Sequence, residues 1–128
     1  MARQIIKSDK APSAIGAYSQ AVRCGDTVYL SGVIPLVPET MEIVSGDVRA
    51  QVELVFTTLE AIVNEAGGTL DQVAKLTVYL TDLADFPIVN EVMAERFSEP
   101  YPARAAIGIS QLPKDVAVEV EGILYLGA

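Results

Sequence analysis

Histidine and tryptophan are absent from this chain of 128 residues, and cysteine occurs once, as Cys24. Without histidine there is no Ser-His-Asp triad, no Cys-His pair and no His-ligated zinc. One cysteine leaves no partner for an internal disulfide and no thiolate cage for a metal. Cations are also few: 9 Lys and Arg stand against 17 Asp and Glu, a formal net charge of −8. Phosphate contacts need clustered cations, so a general nucleic-acid binder is disfavoured, and so is an anionic membrane surface. Uncharged stretches are short; residues 27–38 contain Pro35 and Pro38 and cannot span a bilayer. Residues 1–7 lack an apolar core of signal-peptide length, so a cytoplasmic location is the expectation. No P-loop, Gly-x-Gly-x-x-Gly or EF-hand loop occurs, and neither a nucleotide cofactor nor a tightly held metal is expected. Any catalyst must then use carboxylates, Tyr, Lys, Arg, hydroxyls or backbone groups.

What is present is a globular composition, 51% hydrophobic and 20% charged. The length suits one domain, residues 1–128, with enough chain to bury a core unaided. The apolar share is rich for so small a protein and hints at a buried interface between subunits. Residues 3–7 read as a short edge strand. Residues 18–23 and 27–31 read as a hairpin turning at Gly25-Asp26, and 33–45 as a loop. Val48, Val52, Val55, Leu59, Ile62, Val63 and Ala66 recur on one face of a 3.6-residue period. They predict a helix over 46–66, capped by Ser45 or Asp47 and stopped by Gly67-Gly68. Residues 75–80 form a β-branched, aromatic strand, and 85–97 a second helix with Pro87 in its first turn. Residues 104–109 and 116–126 are the last two strands, read as a hairpin joined by the turn at 111–115. The predicted class is α+β: a mostly antiparallel sheet, two helices on one face, and the other face apolar and open until subunits cover it.

Several residues could carry chemistry. Arg104 opens a strand among Ala103, Ala105, Ala106 and Ile107, where small neighbours leave its planar fork free for a carboxylate. The same placement suits an arginine that merely reaches solvent. Glu119 and Glu121 share a strand face opposite Val116, Val118 and Val120, with Cα atoms roughly 6.5–7 Å apart. Two such carboxylates suit a base and a structural partner, or simply a solvated strand face. Tyr18, Ser31 and Asn90 could orient a ligand or satisfy a turn. Cys24 at the hairpin tip has no cationic neighbour but Arg23 and reads as structural.

These weak signals fall into blocks with a known order. They are Ala11-Pro12, Gly16-Ala17-Tyr18-Ser19-Gln20-Ala21, Ser31-Gly32-Val33-Ile34-Pro35, residues 73–83 with Asp85-Phe86 and Asn90, Tyr101-Pro102-Ala103-Arg104, and Leu112-Pro113-Lys114-Asp115-Val116 with Glu119-Val120-Glu121. In them the chain resembles the RidA/YjgF family of imine and enamine deaminases over nearly its whole length. The resemblance implies a chorismate-mutase-like fold and a homotrimer with a central barrel and sites in the clefts between subunits. It implies cofactor-free hydrolysis of 2-aminoacrylate and 2-iminobutanoate to keto acids and ammonia, which protects pyridoxal-phosphate enzymes. It places Arg104 on the substrate carboxylate and Glu119 on the attacking water. It makes Tyr18, Ser31, Asn90 and Ala106 pocket residues, and gives Glu121 no comparable role.

The chain departs from the family pattern at Ala17, where proline is usual, at Val33, where glutamine is common, and at Ala106, where many members carry cysteine. The last two could alter substrate preference. Two further readings stay open: a trimer that binds small carboxylate metabolites without turnover, and a ribonuclease or translation inhibitor, against which the charge and the missing histidine weigh.

Overall fold

The computed structural model describes residues 2–127. Six strands and two α-helices follow in the order β1 (Gln4–Ile6), β2 (Ala21–Cys24), β3 (Thr27–Val33), α1 (Val48–Glu65), β4 (Val73–Leu80), α2 (Phe86–Arg96), β5 (Ala103–Gly108) and β6 (Val118–Tyr125). The strands form one sheet in the order β1-β2-β3-β6-β4-β5, antiparallel throughout except between β4 and β5. The class is α+β, as the spacing predicts. No helix among the described residues is long and apolar enough to cross a membrane.

α1 has the start and stop that its sequence encodes. Of the two candidate caps, Asp47 takes the role: its carboxylate accepts the amide of Ala50 at 3.0 Å. At the other end Gly67 takes φ +90°, a left-handed conformation that a side chain would strain. The amides of Gly67 and Gly68 then close on the carbonyls of Asn64 and Val63, each at 3.0 Å. Between these ends Val52, Val55, Phe56, Leu59, Ile62 and Val63 are buried. They lie with Val89, Val92 and Met93 of α2 in one core with Leu76, Val78, Val118 and Val120 of the sheet. Arg49 joins the two helices from outside, donating to Glu91 at 3.0 Å and Glu95 at 2.7 Å. Gln51 ties α1 to the chain entering β6, accepting the amide of Ala117 at 2.9 Å.

Two expectations need correction. The last two strands are not a hairpin, because β4 lies between them and β6 pairs with β3 and β4. The chain leaves β4 through α2 and returns as β5, parallel to β4, the usual result of a helical crossover. That fills one edge of β4, and β6 takes the other. The open face of the sheet is also not uniformly apolar. Tyr29, Tyr79, Ile123 and Tyr125 share it with Lys75, Thr77, Glu119 and Glu121. Smaller differences concern strand ends: Tyr18, Ser19 and Gln20 precede β2, and Val33 closes β3. The break in register between Leu30 and Val33 is a bulge, which turns Ser31 and Gly32 out of the regular pleat.

Candidate functional site

β5 begins at Ala103, directly after Pro102, which cannot continue a helix, so Arg104 is the second residue of the strand. Every residue of β5 is exposed. In the parallel register Arg104 sits beside Leu76 and Ala106 beside Val78, so both point to the helix-covered side of the sheet. There α2 meets the guanidinium with three side chains. Nη1 donates to Asn90 Oδ1 at 2.9 Å and lies 3.5 Å from Met93 Sδ, while the guanidinium carbon stands 4.7 Å from the centre of the Phe86 ring. Phe86, Asn90 and Met93 are spaced four and three apart, one face of a helix. The aromatic face holds the guanidinium plane by cation–π attraction, and Asn90 occupies one nitrogen. The rest of the fork looks into a groove of about 380 Å³ shared with Tyr101 and Pro102.

The second group of expected site residues lies elsewhere. Glu119 is in register with Tyr79, an odd number of residues from Leu76, so its side chain emerges on the face opposite Arg104. The carboxylate lies against Gly32: a Cβ at that position would fall inside contact distance of Glu119 Oε2 and Cδ. Glycine is therefore what lets the carboxylate approach the backbone of the bulge. Burial raises the Glu119 pKa above the usual carboxylate value, and the charge of Glu121 adds to the rise. Burial also raises the pKa of Tyr79, followed by the charge of Glu121 and the hydrogen bond to it, and by Glu119.

Ser31 donates from Oγ to the carbonyl of Ser19 at 2.5 Å, and its amide donates to Gln20 at 3.0 Å. Gln20 itself clamps the preceding segment. Its side-chain amide donates to the carbonyls of Ser8 at 3.2 Å and Pro12 at 2.8 Å, and its oxygen accepts the Ser8 amide at 2.6 Å. This clamp holds the loop that carries Tyr18, whose ring is half exposed. Tyr18, Ser31 and Val33 line one cavity.

One chain thus places the candidate residues in two groups. Arg104, Asn90 and Ala106 gather at the β5 edge on the helix side, and Tyr18, Ser31 and Glu119 around the β3 bulge. Phe86, Met93 and Gly32 carry the geometry without having been singled out as site residues in the sequence reading. Their signals were available: the helical spacing of Phe86, Asn90 and Met93, and a glycine directly after Ser31. Cys24 is exposed at the hairpin tip. No group of three or more His, Cys, Asp or Glu side chains fit to hold a metal occurs among the described residues.

Comparison with known proteins gives a consistent result. The family model described as Endoribonuclease L-PSP matches residues 8–126. The chain is 41% identical to a 2-iminobutanoate/2-iminopropanoate deaminase of Dermatophagoides farinae, over 97% of both chains. Among solved structures it is similar to RidA of an Antarctic Psychrobacter species, with 54% identity and a TM-score of 0.91 over 95% of this chain and 98% of that one. It is also similar to E. coli TdcF with bound serine, with 41% identity and a TM-score of 0.90 over 97% and 99%.

Proposed function

The chain belongs to the RidA/YjgF family, and we propose that it is a cofactor-free deaminase that hydrolyses small 2-imino acids to 2-keto acids and ammonia. The observation that carries this reading is the presentation of Arg104. Its fork is fixed by Phe86 and Asn90 and left open on its groove side, as capture of a planar carboxylate requires. The 2-imino acids present that carboxylate next to an electrophilic C2, so holding one orients the other.

Glu119 supplies the base in this scheme. Its pKa is raised by burial and by Glu121, and a stronger base is a better partner for the proton of an attacking water. The oxygen of water bonds to C2 and its proton passes to Glu119. Transfer of that proton to nitrogen gives a carbinolamine at C2, and transfer of the remaining hydroxyl proton to nitrogen then breaks the C–N bond, so that ammonia leaves and the C2 carbonyl forms. Substrate and water together equal keto acid and ammonia, and no cofactor enters the balance.

Arg104 and Glu119 stand on opposite faces of one sheet, so a single chain cannot bring both to one substrate. The proposed enzyme is therefore an oligomer, a trimer by resemblance, in which the β5 edge of one copy meets the β3 bulge of another. The open sheet face, with Tyr29 and Tyr125 about half exposed, supplies the surface for that association.

The test is a coupled assay in which threonine dehydratase makes 2-iminobutanoate in the presence of semicarbazide, which traps the imine. A protein-dependent increase in free 2-oxobutanoate supports the reading. No increase, from protein that sediments as an oligomer, sinks it. One alternative has an observation behind it: the solved TdcF holds serine, as a trimer that binds carboxylate metabolites without turnover would. Saturable 2-oxobutanoate binding with no deamination would favour that alternative. The family description names an endoribonuclease, but a net charge of −8 without histidine suits RNA poorly.

A further inference from the structure

α2 is short and thinly buried. Of its 11 residues only Val89, Val92 and Met93 are buried, against seven of 18 in α1, and its N-cap Asp85 makes no side-chain capping bond. Apolar packing of this kind holds a helix down without fixing its roll about its own axis, because the hydrophobic effect is non-directional. Charged forks are directional, and α2 is gripped by two of them on opposite flanks. On one flank Arg104 donates to Asn90 at 2.9 Å, with Phe86 and Met93 beside it. On the other, Arg49 of α1 spreads its guanidinium over two carboxylates one turn apart. Its Nη1 donates to Glu91 at 3.0 Å, and its Nη2 to the two oxygens of Glu95 at 2.7 and 3.1 Å. At 3.6 residues per turn, Glu91 and Glu95 stand about 140° and about 180° round the axis from Phe86. Arg96 extends the seam, donating to Glu53 at 3.2 Å and Thr57 at 2.9 Å, and Glu53 also lies 3.8 Å from Arg49.

The roll of α2 decides whether Asn90 meets Arg104. Side-chain ends lie about 6 Å from a helix axis, so a roll of roughly 10° carries Asn90 Oδ1 by about 1 Å. A hydrogen bond of 2.9 Å lengthened by that much is lost. On the reading that Arg104 holds the substrate carboxylate, we infer that Arg49 is a positioning residue for it. By fixing Glu91 and Glu95, Arg49 sets the roll of α2 and so the aim of the guanidinium. Arg49, Glu91 and Glu95 do not line the groove beside Arg104, so their effect passes through the helix. All three are exposed, and salt weakens their grip. The affinity of the groove for a carboxylate is thereby tied to ionic strength through the seam, in addition to the screening of Arg104 itself.

The test attacks the seam from both helices. Arg49→Gln removes the fork from α1, and Glu91→Gln with Glu95→Gln removes its partners from α2. Arg23→Gln is the control, since it deletes one arginine that pairs with Asp26 at 3.6 Å and lies outside both helices. The nitrogen–proton NMR signal of Arg104 Nε, identified by its absence in Arg104→Lys, reports in the ligand-free protein on the guanidinium in the ring current of Phe86. Calorimetry gives the Kd of 2-oxobutanoate, and the coupled assay separates KM from kcat. Arg49→Gln and the Glu91→Gln/Glu95→Gln pair should each move the Arg104 signal. Each should also raise Kd and KM about threefold with kcat unchanged, the scale of an exposed ion-pair network. Combining all three substitutions should add little to either alone. Salt at about 1 M, where screening acts within about 3 Å, should move the signal of the unaltered protein toward that of Arg49→Gln, and move the variant less. An Arg104 signal that stays in place in both seam variants, or that Arg23→Gln moves equally, overturns the inference. So does a signal that moves while the Kd of a bound keto acid stays the same. If the unaltered protein neither binds 2-oxobutanoate nor turns over an imine, the deaminase reading fails by itself, and the seam is decided on the Arg104 signal alone.

Discussion

The two faces of this sheet are made by the same strands and serve opposite ends. On the covered face Leu76, Val78, Val118 and Val120 meet Val52, Val55, Leu59 and Val89, all buried, and nearly every contact is apolar. On the open face the alternate residues of β4 and β6 are Thr77, Tyr79, Glu119, Glu121 and Ile123, half-buried or exposed. The first set stabilises the fold by removing area from water. The second places two carboxylates side by side, where burial and mutual repulsion hold the Glu119 pKa up. A group in that state opposes folding when charged, so the proposed base sits on the side of the sheet that contributes least to stability. Arg104 complicates the division, since it lies on the covered side but on an edge strand that is exposed along its length.

The sharpest test of this division is Arg104→Ala. Losing two charge-assisted hydrogen bonds to a carboxylate should lower kcat/KM by about 10³-fold. The urea midpoint should hardly move, because β5 is exposed along its length. A variant that unfolds early, or one that keeps its activity, breaks the comparison.

Leu59→Ala probes the other side. Deleting a fully buried leucine side chain should cost about 3 kcal/mol in urea titrations, with KM unchanged in the folded fraction. By contrast Tyr29→Ala, on the open face, should leave the chain folded and show its effect in sedimentation as loss of the oligomer.

Gly32→Ala links backbone shape to chemistry. The added Cβ would displace the Glu119 carboxylate, and kcat should fall up to roughly 10²-fold while 2-oxobutanoate still binds. Equal losses in kcat and binding would mean that the bulge shapes the pocket and not the base.

Phe86→Leu removes the ring beneath the guanidinium and keeps an apolar side chain. KM should rise about threefold with little change in kcat, as expected of an exposed cation–π contact. A fall in kcat alone would show that Phe86 does not act through Arg104.

The smallest expected effect concerns pH. Glu121→Gln removes the charge that adds to the elevated Glu119 pKa, so the acidic limb of the kcat/KM profile should move to lower pH by a fraction of a unit. The same elevation has a sign in stability. A carboxyl whose folded pKa lies above its unfolded one favours the fold at acid pH and loses that contribution as pH rises through the folded pKa. Glu119→Gln should therefore raise the thermal midpoint near neutral pH, and the gain should shrink as pH falls into the carboxylate range.

Much of the architecture was legible in order. The α1 residues at 52, 55, 59, 62 and 63 show their buried face by spacing alone, and Asp47 and Gly67 act as its cap and stop. The alternation of Val118, Val120, Glu119 and Glu121 put both carboxylates on one side, as observed. The absence of a closing hairpin is not legible, because adjacent strands with a turn between them suggest pairing and nothing local reveals that β4 intervenes. The roles of Phe86 and Met93 are not legible locally, because their partner, Arg104, is far away in sequence and joins them only through the crossover.

The sequence by itself determined which segments are helix and strand, which side of each is apolar, and which residues are chemically capable. These follow from periodicity and caps, which are properties of neighbouring residues. Only the tertiary structure decided that Arg104 pairs with α2 on one side of the sheet while Glu119 lies over Gly32 on the other. Strand order and register are set by which distant surfaces can be buried together, and a shift of one residue exchanges the two faces.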